Sequence, residues 1–379
     1  MVGVISKPDT ARKLRILSAD AQYDLACACA TSKDGHRQRS DDGKWIYPIT
    51  LPNGGKSVLF KTLVSNVCNN DCKYCPLREQ RDIRRCSLSP EETAKVFLDY
   101  YQQRKVFGLF LSSAVIGSPD ATMDRLNTTA AILRKKHSFR GYIHLKVIPG
   151  ASNSAIEQAV SLSSAVSLNI ETPGKEKLAK LSDKKDYIKD IIEPMKLISR
   201  LTRRGNKYEK VKQTTQFIVG AAEETDTEIV KYMWELYDRL KLQRVYFSAY
   251  QAGLGDKNLP AEQKKTEKAG DVLTREHRLY QVDFLMRKYG FTESDIIYTD
   301  TGNLSLTTDP KQIWADSHQE FFPININTAD KNDLLKVPGL GPITVNRIIK
   351  RRKSAKLRHI QDIAKPGVLL KKAAGYITY

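Results

Sequence analysis

The sequence Ser57-Val-Leu-Phe-Lys-Thr-Leu-Val-Ser-Asn-Val-Cys68-Asn-Asn-Asp-Cys72-Lys-Tyr-Cys75 carries the strongest structural signal of the chain. Its first part, Val58 to Val64, has the β-branched and aromatic content of a strand. The second part places three cysteines in one tight loop with the spacing Cys-x3-Cys-x2-Cys. Three thiolates so close together can surround a single soft metal centre.

The spacing of these cysteines favours an iron-sulfur cluster. Such clusters are normally held by four cysteines, so three leave one iron of a cubane cluster without a protein ligand. An open metal position can hold a substrate or a cofactor. Two other interpretations remain. A zinc site would need a fourth ligand, and His36 and His137 are far from the loop in sequence. Unreactive buried thiols seldom occur three at a time in a polar loop.

Further β-rich runs follow the cysteine loop, separated by helix-length segments. Six strands alternating with helices predict parallel βαβ units and an α/β fold that forms an open or closed barrel. The first helix after the loop has a clear start, because Ser89, Pro90 and Glu92 match a capping box with proline at the first helical position. In such barrels the chemistry takes place in loops at the carboxyl ends of the strands. The six runs are Val58 to Val64, Gly108 to Ser113, Tyr142 to Ile148, Ala165 to Ile170, Thr214 to Val219 and Arg244 to Ser248.

Changes of pattern along the chain indicate four segments. The first contains one helix-like stretch, Asp9 to Tyr23, and then a polar loop from Thr31 to Lys44. The third begins with a charged stretch and continues as a helical segment, Leu273 to Tyr289. The predicted segments are an N-terminal cap (1–55), the barrel (56–255), a helical extension or linker (256–320) and a small C-terminal all-α domain (321–379).

The cysteine loop resembles the signature of the radical S-adenosylmethionine (SAM) superfamily. The match consists of Cys68, Cys72 and Cys75, with Tyr74 directly before the third cysteine and a first barrel strand before the loop. The resemblance implies a partial (β/α)6 barrel over about residues 57–251 and a [4Fe-4S] cluster held by the three cysteines. It also implies that the open iron binds the amino and carboxylate groups of SAM. Reduction would then give methionine and a 5′-deoxyadenosyl radical that abstracts hydrogen from a substrate.

The resemblance extends unevenly to the later strands. The superfamily usually has Gly-Gly-Glu where this chain has Ser112-Ser113-Ala114, so main-chain carbonyls or another side chain must contact the methionine amino group. Polar positions of the fourth strand fit the ribose and methionine contacts, and the ends of the fifth and sixth strands fit the adenine contacts. The residues that the resemblance implies for SAM binding are Tyr74, Ser112, Ser113, Asn169, Glu171, Gly220, Glu223 and Tyr246.

The chain is strongly basic, with 62 Lys and Arg against 43 Asp and Glu and a net charge of +19. About half of this charge lies from Phe321 to Tyr379, which contains 12 Lys and Arg and 3 Asp. Dense positive charge attracts phosphates or anionic surfaces. Arg78, Arg81, Arg84 and Arg85 could line the barrel mouth and receive phosphates, or form a solvated helix face.

The C-terminal segment contains a glycine-rich turn between two short predicted helices. Asn327 or Thr328 is expected to cap the first helix, and Pro342 suits the first turn of the second. Amide groups at the start of the second helix would form a phosphate site. This pattern resembles the helix-hairpin-helix family, which binds the nucleic-acid backbone without reading bases. The residues expected to contact nucleic acid are Val337, Gly339, Leu340, Gly341, Arg347 and Lys350.

Other features carry less information. A degenerate second hairpin from Ile360 to Val368 lacks the second turn glycine and is expected mainly to support packing. Cys86, Cys27 and Cys29 could hold a second cluster, although small buried thiols are the more common case. His144 is expected to be a packed barrel residue.

The combined pattern resembles a bacterial and archaeal group described as DNA modification or repair radical SAM proteins. It predicts an enzyme that brings a 5′-deoxyadenosyl radical to a nucleotide in DNA, with an electron donor such as flavodoxin or ferredoxin. The sequence has no apolar run of membrane-spanning length and no secretory signal, so a cytoplasmic location without membrane contact is expected. The alternatives are a radical SAM enzyme that modifies tRNA or other RNA, and a non-catalytic iron-sulfur protein that binds nucleic acid.

Overall fold

The computed structural model of the chain describes residues 8–21, 46–50, 56–263, 269–365 and 367–379. Their contacts define two compact units. Unit 1 consists of Met1–Glu224 and Glu235–Ala269, and unit 2 consists of Thr225–Trp234 and Gly270–Tyr379. The polar loop expected from Thr31 to Lys44 lies outside the described residues.

Unit 1 is built on a seven-stranded sheet whose strands follow one another in chain order. The strands are β1 Ile46–Thr50, β2 Lys56–Leu63, β3 Gly108–Ser112, β4 Tyr142–Lys146, β5 Ala165–Ser167, β6 Lys212–Val219 and β7 Arg244–Ala249. β1 is antiparallel to β2, whereas β2 to β7 are all parallel. The six predicted strands are therefore all present, and the predicted α/β partial barrel is confirmed.

The strand β1 was not predicted. It pairs along its whole length with β2, from Ile46 opposite Phe60 to Thr50 opposite Lys56. Pro48 cannot donate a ladder hydrogen bond, and a proline within a short run normally argues against a strand unless it lies at a sheet edge. β1 is an edge strand, so tertiary pairing outweighed the local signal.

The helices before, between and after the parallel strands are α1 Thr10–Asp20, α2 Pro90–Gln102, α3 Pro119–Ala131, α4 Asn153–Leu162, α5 Lys175–Leu181, α6 Glu193–Thr202, α7 Asp226–Asp238 and α8 Pro260–Gln263, with π-helical turns at Ile132–Lys136 and Tyr187–Ile192. Residues 226–234 of α7 belong to unit 2. The predicted capping box of α2 is confirmed, because Ser89 Oγ accepts from the Glu92 amide at 3.1 Å and Glu92 Oε2 accepts from the Ser89 amide at 2.8 Å. Ser118 and Ser152 cap α3 and α4. These local signals explain where the helices begin.

The sheet of unit 1 is buried on both faces along β2. Leu59 and Phe60 are successive residues of this strand, so their side chains point to opposite faces, and they are 5% and 0% exposed. The rings of Phe217 on β6 and Phe247 on β7 stack with their centroids 6.1 Å apart. Burial of this kind stabilises by about 2 kcal/mol for each large apolar side chain. The rigid sheet fixes the loops at the carboxyl ends of its strands.

Unit 2 is mainly helical. Its elements after α7 are α9 Ala269–Tyr289, α10 Pro310–Ser317, β8 Ile324–Asn325, α11 Lys331–Lys336, α12 Pro342–Arg352, α13 Val368–Ala373 and β9 Ile377–Thr378. The predicted helix at Leu273 to Tyr289 corresponds to α9. None of the helices in the described ranges combines the length and apolarity needed to cross a membrane.

Residues 324–379, the hairpin module, have a core of their own. Apolar side chains from α11, α12 and α13 fill it, together with the short parallel pair of β8 and β9, which makes the module less purely helical than predicted. The predicted degenerate hairpin begins with a single 3-10 turn, Ile360–Asp362, and continues as α13. The most buried core residues are Ile326, Leu334, Val337, Val345, Ile348, Ile363 and Ala373.

The cap of α11 differs from the prediction. Asp330 caps this helix, because its carboxylate accepts from the Asn332 amide at 2.8 Å and from the Asp333 amide at 2.9 Å. Asn327 instead exchanges two hydrogen bonds of 2.9 Å with the backbone of Leu357. That long-range partner cannot be read from the local sequence. The prediction that Pro342 lies in the first turn of α12 is confirmed.

Candidate functional site

The cysteine loop follows β2 at the carboxyl edge of the sheet and is fixed by long-range backbone hydrogen bonds. The amide of Asn69 donates to the carbonyl of Val115, just after β3, at 2.8 Å. The amide of Lys73 donates to Leu181, at the end of α5, at 2.7 Å, and the carbonyl of Lys73 accepts from Asp256 at 2.7 Å. Three separate segments of unit 1 therefore determine the position of this loop.

Buried side chains add further anchors to the cysteine loop. Asp71 accepts from the Asp183 amide at 2.8 Å and from the Ser182 hydroxyl. The buried guanidinium of Arg78 donates to the carbonyls of Cys75 at 3.1 Å and Gly255 at 3.0 Å. These bonds hold the third cysteine close to the segment that follows β7.

The arginines after the loop therefore have different roles. Arg78 and Arg85 donate to main-chain carbonyls, including those of Leu77 and Arg78 for Arg85, and serve the local structure. Arg81 and Arg84 are exposed. The idea that all four arginines line the barrel mouth is wrong for Arg78 and Arg85, because their donor groups already hold backbone carbonyls.

The thiols of the loop lie close enough to influence one another. Cys68 Sγ accepts from the Asn70 amide and Cys75 Sγ from the Leu77 amide, each at 3.4 Å. Burial raises the pKa of Cys75 to about 12, and the neighbouring Cys72 adds to this rise. Burial also raises the pKa of Cys72. A bound metal lowers the pKa of a thiol instead, because a thiol that coordinates a metal loses its proton.

The donor chemistry of the loop fits an iron-sulfur cluster. Three soft sulfur ligands lie on one anchored loop, with two backbone amides directed at sulfur, as thiolate ligands require. Within the described ranges, however, no group of three or more Cys, His, Asp or Glu side chains is already arranged to hold a metal ion. Of the alternative zinc ligands, His36 lies outside the described residues.

Buried polar residues lie beside the cysteines. Glu171, after β5, has a side chain only 5% exposed and forms an ion pair of 3.7 Å with Lys185, which is 7% exposed. Lys185 and Cys72 influence the pKa of each other, and Lys185 Nζ lies 6.0 Å from the ring centre of Tyr74. Asn169 Nδ2 donates to Glu171 Oε2 at 3.4 Å. The structure thus brings together Tyr74, Asn169 and Glu171, and adds Lys185, which the sequence did not single out.

The electrostatics of this cluster follow from burial and from the neighbouring charges. Burial disfavours a charge on Lys185, but Cys72 and Glu171 outweigh it and raise the lysine pKa above its ordinary value. Burial and then the Glu171 charge raise the pKa of Tyr74 well above its ordinary range, so this phenol stays protonated. The site therefore holds a cation and an anion at fixed positions next to a cysteine ligand.

The backbone holds Glu171 in an unusual conformation. Its φ of +65° lies in the left-handed region, which is uncommon for a residue other than glycine. The Glu171 amide donates to Gln216 at 3.0 Å and its carbonyl accepts from Ile218 at 2.7 Å. These two bonds to β6 stabilise a conformation that the isolated residue would avoid.

The end of β3 is tied to the start of the cysteine loop. Ser112 is buried, and its carbonyl accepts from the Val64 amide at 2.8 Å. Ser113 Oγ donates to the Ala114 carbonyl at 2.7 Å, and the Ala114 amide donates to Ser65 at 2.9 Å. This strand end carries hydroxyl and carbonyl groups where the superfamily has a glutamate.

The turn after β6 is organised by Glu224. Gly220 has a φ of +86°, and the buried carboxylate of Glu224 accepts from the Gly220 amide and, at 2.9 Å, from the Ala222 amide. Glu223, which the sequence pattern selected, is exposed and pairs with Lys180 at 2.6 Å. Of the two adjacent glutamates, Glu224 is therefore the buried one. The sequence Glu-Glu does not reveal this difference.

Two further barrel residues have contacts to neighbouring side chains. The ring of Tyr246 on β7 lies under the guanidinium of Arg244, at 5.0 Å from the ring centre. His144 packs on the ring of Phe110 with centroids 4.5 Å apart, as expected for a packed barrel residue.

The remaining cysteines separate into two groups. Cys86 is buried, and its sulfur lies 3.9 Å from the carbonyl of Lys13 on α1. Cys27 and Cys29, the other members of the predicted second cluster, lie outside the described residues.

In the hairpin module, the turn between α11 and α12 has two glycines with different environments. Gly339 has a φ of +85°, and a Cβ built there would lie 2.1 Å from the carbonyl oxygen of Leu369. Gly341 precedes α12 without a side-chain cap, and a Cβ there would meet only the Tyr289 hydroxyl at 3.4 Å. First-turn amides have no partner within their own helix, so the start of α12 can receive an anion.

The predicted nucleic-acid residues divide into a buried and an exposed set. Val337 and Leu340 have buried side chains, so only their backbone is left for a partner. Arg347 and Lys350 are exposed on α12. Behind the turn, the buried Lys311 donates to the Leu340 carbonyl at 2.6 Å, a contact that no sequence signal indicated.

Comparisons with known proteins identify both regions. The Radical SAM superfamily matches residues 62–234, and the Helix-hairpin-helix motif matches residues 320–374. The chain therefore contains a radical SAM domain and a helix-hairpin-helix motif. Members of the radical SAM family use a [4Fe-4S] cluster and SAM.

Solved structures that match this chain share little sequence with it. HydG from Carboxydothermus hydrogenoformans, an FeFe-hydrogenase maturase, is 15% identical over 59% of this chain and 50% of its own, with a TM-score of 0.43. Streptococcus suis SuiB bound to S-adenosylmethionine is 13% identical over 59% and 47%, with a TM-score of 0.44. HemN from Escherichia coli, a coproporphyrinogen III oxidase described as a radical SAM enzyme, is 14% identical over 58% and 50%, with a TM-score of 0.34. The chain spans about half the length of these structures, and no curated protein sequence matches it.

Proposed function

We propose that this protein is a radical SAM enzyme that modifies or repairs a nucleotide in DNA. The observation that carries the proposal is the pairing, in one chain, of an anchored three-cysteine loop after the first parallel strand with a basic helix-hairpin-helix module. The cysteine loop accounts for the chemistry, and the module accounts for the substrate class.

In this proposal Cys68, Cys72 and Cys75 hold the cluster through three of its irons. A [4Fe-4S] cluster with SAM supplies, when bound and reduced, a carbon-centred radical that can abstract hydrogen. Lys185 and Glu171 provide one fixed charge of each sign for the carboxylate and amino ends of the methionine moiety. Because both charges are buried, they are worth more there than they would be in water.

Other residues would orient the nucleoside part of SAM. Asn169 offers an amide for the ribose hydroxyls, and the main-chain groups of Ser112 and Ser113 replace the missing glutamate at the end of β3. Gly220 lets the backbone approach the adenine closely. Glu223, in the turn after β6, and Tyr246, on β7, are the other proposed adenine contacts.

The hairpin module would anchor the substrate. Gly341, the first-turn amides of α12 and the exposed Arg347 and Lys350 supply a phosphate site with donors and positive charge. Such contacts position a protein on a nucleic acid without reading the base sequence. Chemistry on a base also requires that the base be flipped out or unpaired. A flavodoxin or ferredoxin is the expected class of electron donor.

The catalytic part of the proposal is tested by anaerobic reconstitution with iron and sulfide. Addition of dithionite and SAM should give 5′-deoxyadenosine, and Cys68→Ala, Cys72→Ala or Cys75→Ala should abolish both the cluster absorbance and this product. Cys86→Ala is the matched control, since this buried thiol contacts α1, and it should keep both. A fully loaded cluster that never yields 5′-deoxyadenosine would favour the non-catalytic iron-sulfur protein.

The substrate part is tested by binding of the full chain to duplex DNA, unpaired DNA and tRNA. Gly341→Ala should weaken DNA binding because a methyl group obstructs the phosphate, whereas Gly375→Ala, which has open space around it, should not. Tighter binding to tRNA than to either DNA at the same salt concentration would replace DNA by RNA as the substrate.

A further inference from the structure

The segments that lead from a helix into the next parallel strand of unit 1 are strongly basic. The four segments before β3, β4, β6 and β7 contain 12 Lys and Arg and a single acidic residue, Glu209. The carboxylate of Glu209 already accepts from the Gly205 amide at 2.8 Å. We refer to these four segments together as the basic edge. They are residues 103–107, 132–141, 203–211 and 239–243.

The parallel sheet brings the basic edge together in space. Because β2 to β7 are parallel, the segments before them all lie at the amino edge of the sheet. The first residues of β3 and β4, Gly108 and Tyr142, are direct partners in the ladder. Neighbouring strands are about 4.8 Å apart, so the basic edge extends over about 20 Å from β3 to β7. It can therefore contact several phosphates of one polyanion.

Most cations of the basic edge are exposed and not neutralised. Within the described ranges, the ion pairs of this surface involve the two cations before β7, which bind acidic residues of α7. Arg104 and Lys105 before β3, and Arg203 and Arg204 before β6, are exposed without an acidic partner. Cations collected in this way repel one another, and an anionic partner relieves the repulsion.

A cavity of about 520 Å³ adjoins the cations before β3. Its lining includes Arg104, Lys105, Tyr101 and Phe107. The Tyr101 ring packs edge-on against Phe139, with centroids 4.9 Å apart, yet 39% of Tyr101 is exposed. The volume lies in the range of pockets that hold small organic groups. Cations next to a fixed, exposed ring suit a nucleotide, because the phosphate binds the cations and the base stacks on the ring.

We propose that the basic edge binds an unpaired stretch of nucleic acid, with phosphates on the cations and one base in the cavity against Tyr101. Proteins that bind single strands combine a basic track with aromatic side chains in this way. The proposal goes beyond the proposed function, because this surface lies at the sheet edge opposite the cysteine loop. An acidic electron donor would have to reach that loop instead, and the eight residues of β2 alone separate the two edges by about 26 Å.

The test measures binding of the full chain to a labelled, unpaired oligothymidylate by fluorescence anisotropy at several salt concentrations. The double variants Arg104→Gln/Lys105→Gln and Arg203→Gln/Arg204→Gln should each bind about tenfold more weakly. Each should also reduce the slope of log K against log salt by about 1.4, since a single strand contributes about 0.7 for each lost phosphate contact. The same assay with oligouridylate separates the two sources of such a strand, and the tighter ligand identifies DNA or RNA.

Two further variants separate stacking and net charge from phosphate binding. Tyr101→Leu should bind oligothymidylate about tenfold more weakly at an unchanged salt slope, because it removes stacking and no cation. The matched control, Lys95→Gln/Lys196→Gln, removes two exposed cations from the middle of α2 and α6 and should keep the wild-type affinity. Thermal unfolding of all variants checks that the fold is retained.

Several outcomes would overturn the inference. They are wild-type affinity for oligothymidylate in both charge variants of the basic edge, an equal loss in the matched control, and a loss of binding to anionic vesicles without a loss for oligonucleotides. Failure of the proposed function gives a different result. If the basic-edge variants lose oligothymidylate binding while Arg347→Ala leaves duplex binding unchanged, the proposed role of the hairpin module fails and the basic edge stands.

Discussion

The cysteine-loop site and the hairpin module hold their charged groups in opposite ways. Lys185 and Glu171 are buried as a pair, whereas Arg347 and Lys350 extend into solvent. A buried pair needs each partner to compensate the other, but an exposed cation is already hydrated and can exchange water for a phosphate. The first arrangement suits a small ligand held at fixed positions, and the second suits a long polyanion.

The two regions also differ in what fixes their backbone. The cysteine loop depends on partners far away in sequence, such as Val115, Leu181 and Asp256. The hairpin turn depends mainly on local glycine conformation and on contact with the neighbouring α13. Substitutions should therefore act through partners far away in sequence in the first region and through local backbone geometry in the second.

The largest effect is expected from breaking the buried ion pair. Lys185→Met should destabilise the protein by about 3–5 kcal/mol, because it leaves the Glu171 carboxylate buried without its cation. Urea unfolding followed by circular dichroism measures this loss. The double variant Lys185→Met/Glu171→Gln should recover much of it.

The matched control is an exposed pair of the same unit. Lys180 and Glu223 are 39% and 38% exposed, so Lys180→Met should cost no more than about 1 kcal/mol. Equal losses for the two lysine variants would show that burial does not decide the contribution of Lys185.

The second prediction concerns the two turn glycines. Gly339→Ala should destabilise the hairpin module by about 1–3 kcal/mol, because φ is +85° and the new methyl would meet the Leu369 backbone. Fluorescence of the buried Trp314 reports the unfolding of unit 2. Gly341→Ala should leave the melting temperature nearly unchanged, since φ is −112° there. A large loss of stability in Gly341→Ala would contradict the division between a packing glycine and a binding glycine.

The third prediction concerns Lys311 behind the hairpin turn. Burial lowers its pKa to about 7, and nearby Asp309 only partly offsets this. Between about pH 7 and 10 the unfolded chain holds the lysine proton that the folded chain has lost, so stability should rise with pH by at most about 1.4 kcal/mol per unit. Thermal unfolding of unit 2 from pH 6 to 9 measures this rise.

The control for this pH dependence is Lys311→Met. The variant should remove the rise between pH 7 and 9 and leave a flatter profile. A wild-type profile as flat as that of Lys311→Met over this range would show that the lysine keeps its proton in the folded chain.

The smallest effect is expected from single exposed cations of α12. Lys350→Ala should weaken DNA binding by about 1 kcal/mol at low salt and leave the thermal stability within about 0.5 kcal/mol. Titrations at two salt concentrations separate this effect from a change in folding. A Lys350 variant with unaltered affinity at low salt would remove this residue from the phosphate site.

Local signals in the sequence predicted much of the architecture. The six parallel strands and the start of α2 at Ser89 follow from apolar runs and from a capping box, which act within a few residues. The edge strand β1 was missed because Pro48 opposes a strand locally, and the cap of α11 was misassigned because Asn327 bonds to Leu357 instead. In both cases a partner far away in sequence outweighed the local preference.

The candidate sites likewise combine features that follow from the local sequence with features that depend on distant segments. The sequence by itself determined the three thiols on one loop, the glycine turn and the positive charge, because spacing, backbone freedom and net charge are properties of the chain. Only the tertiary structure decided that Lys185 and Glu171 share a buried site, that Glu224 rather than Glu223 is enclosed, and that Val337 and Leu340 turn inward. Burial depends on which distant segments cover a side chain, and a linear pattern does not contain that information.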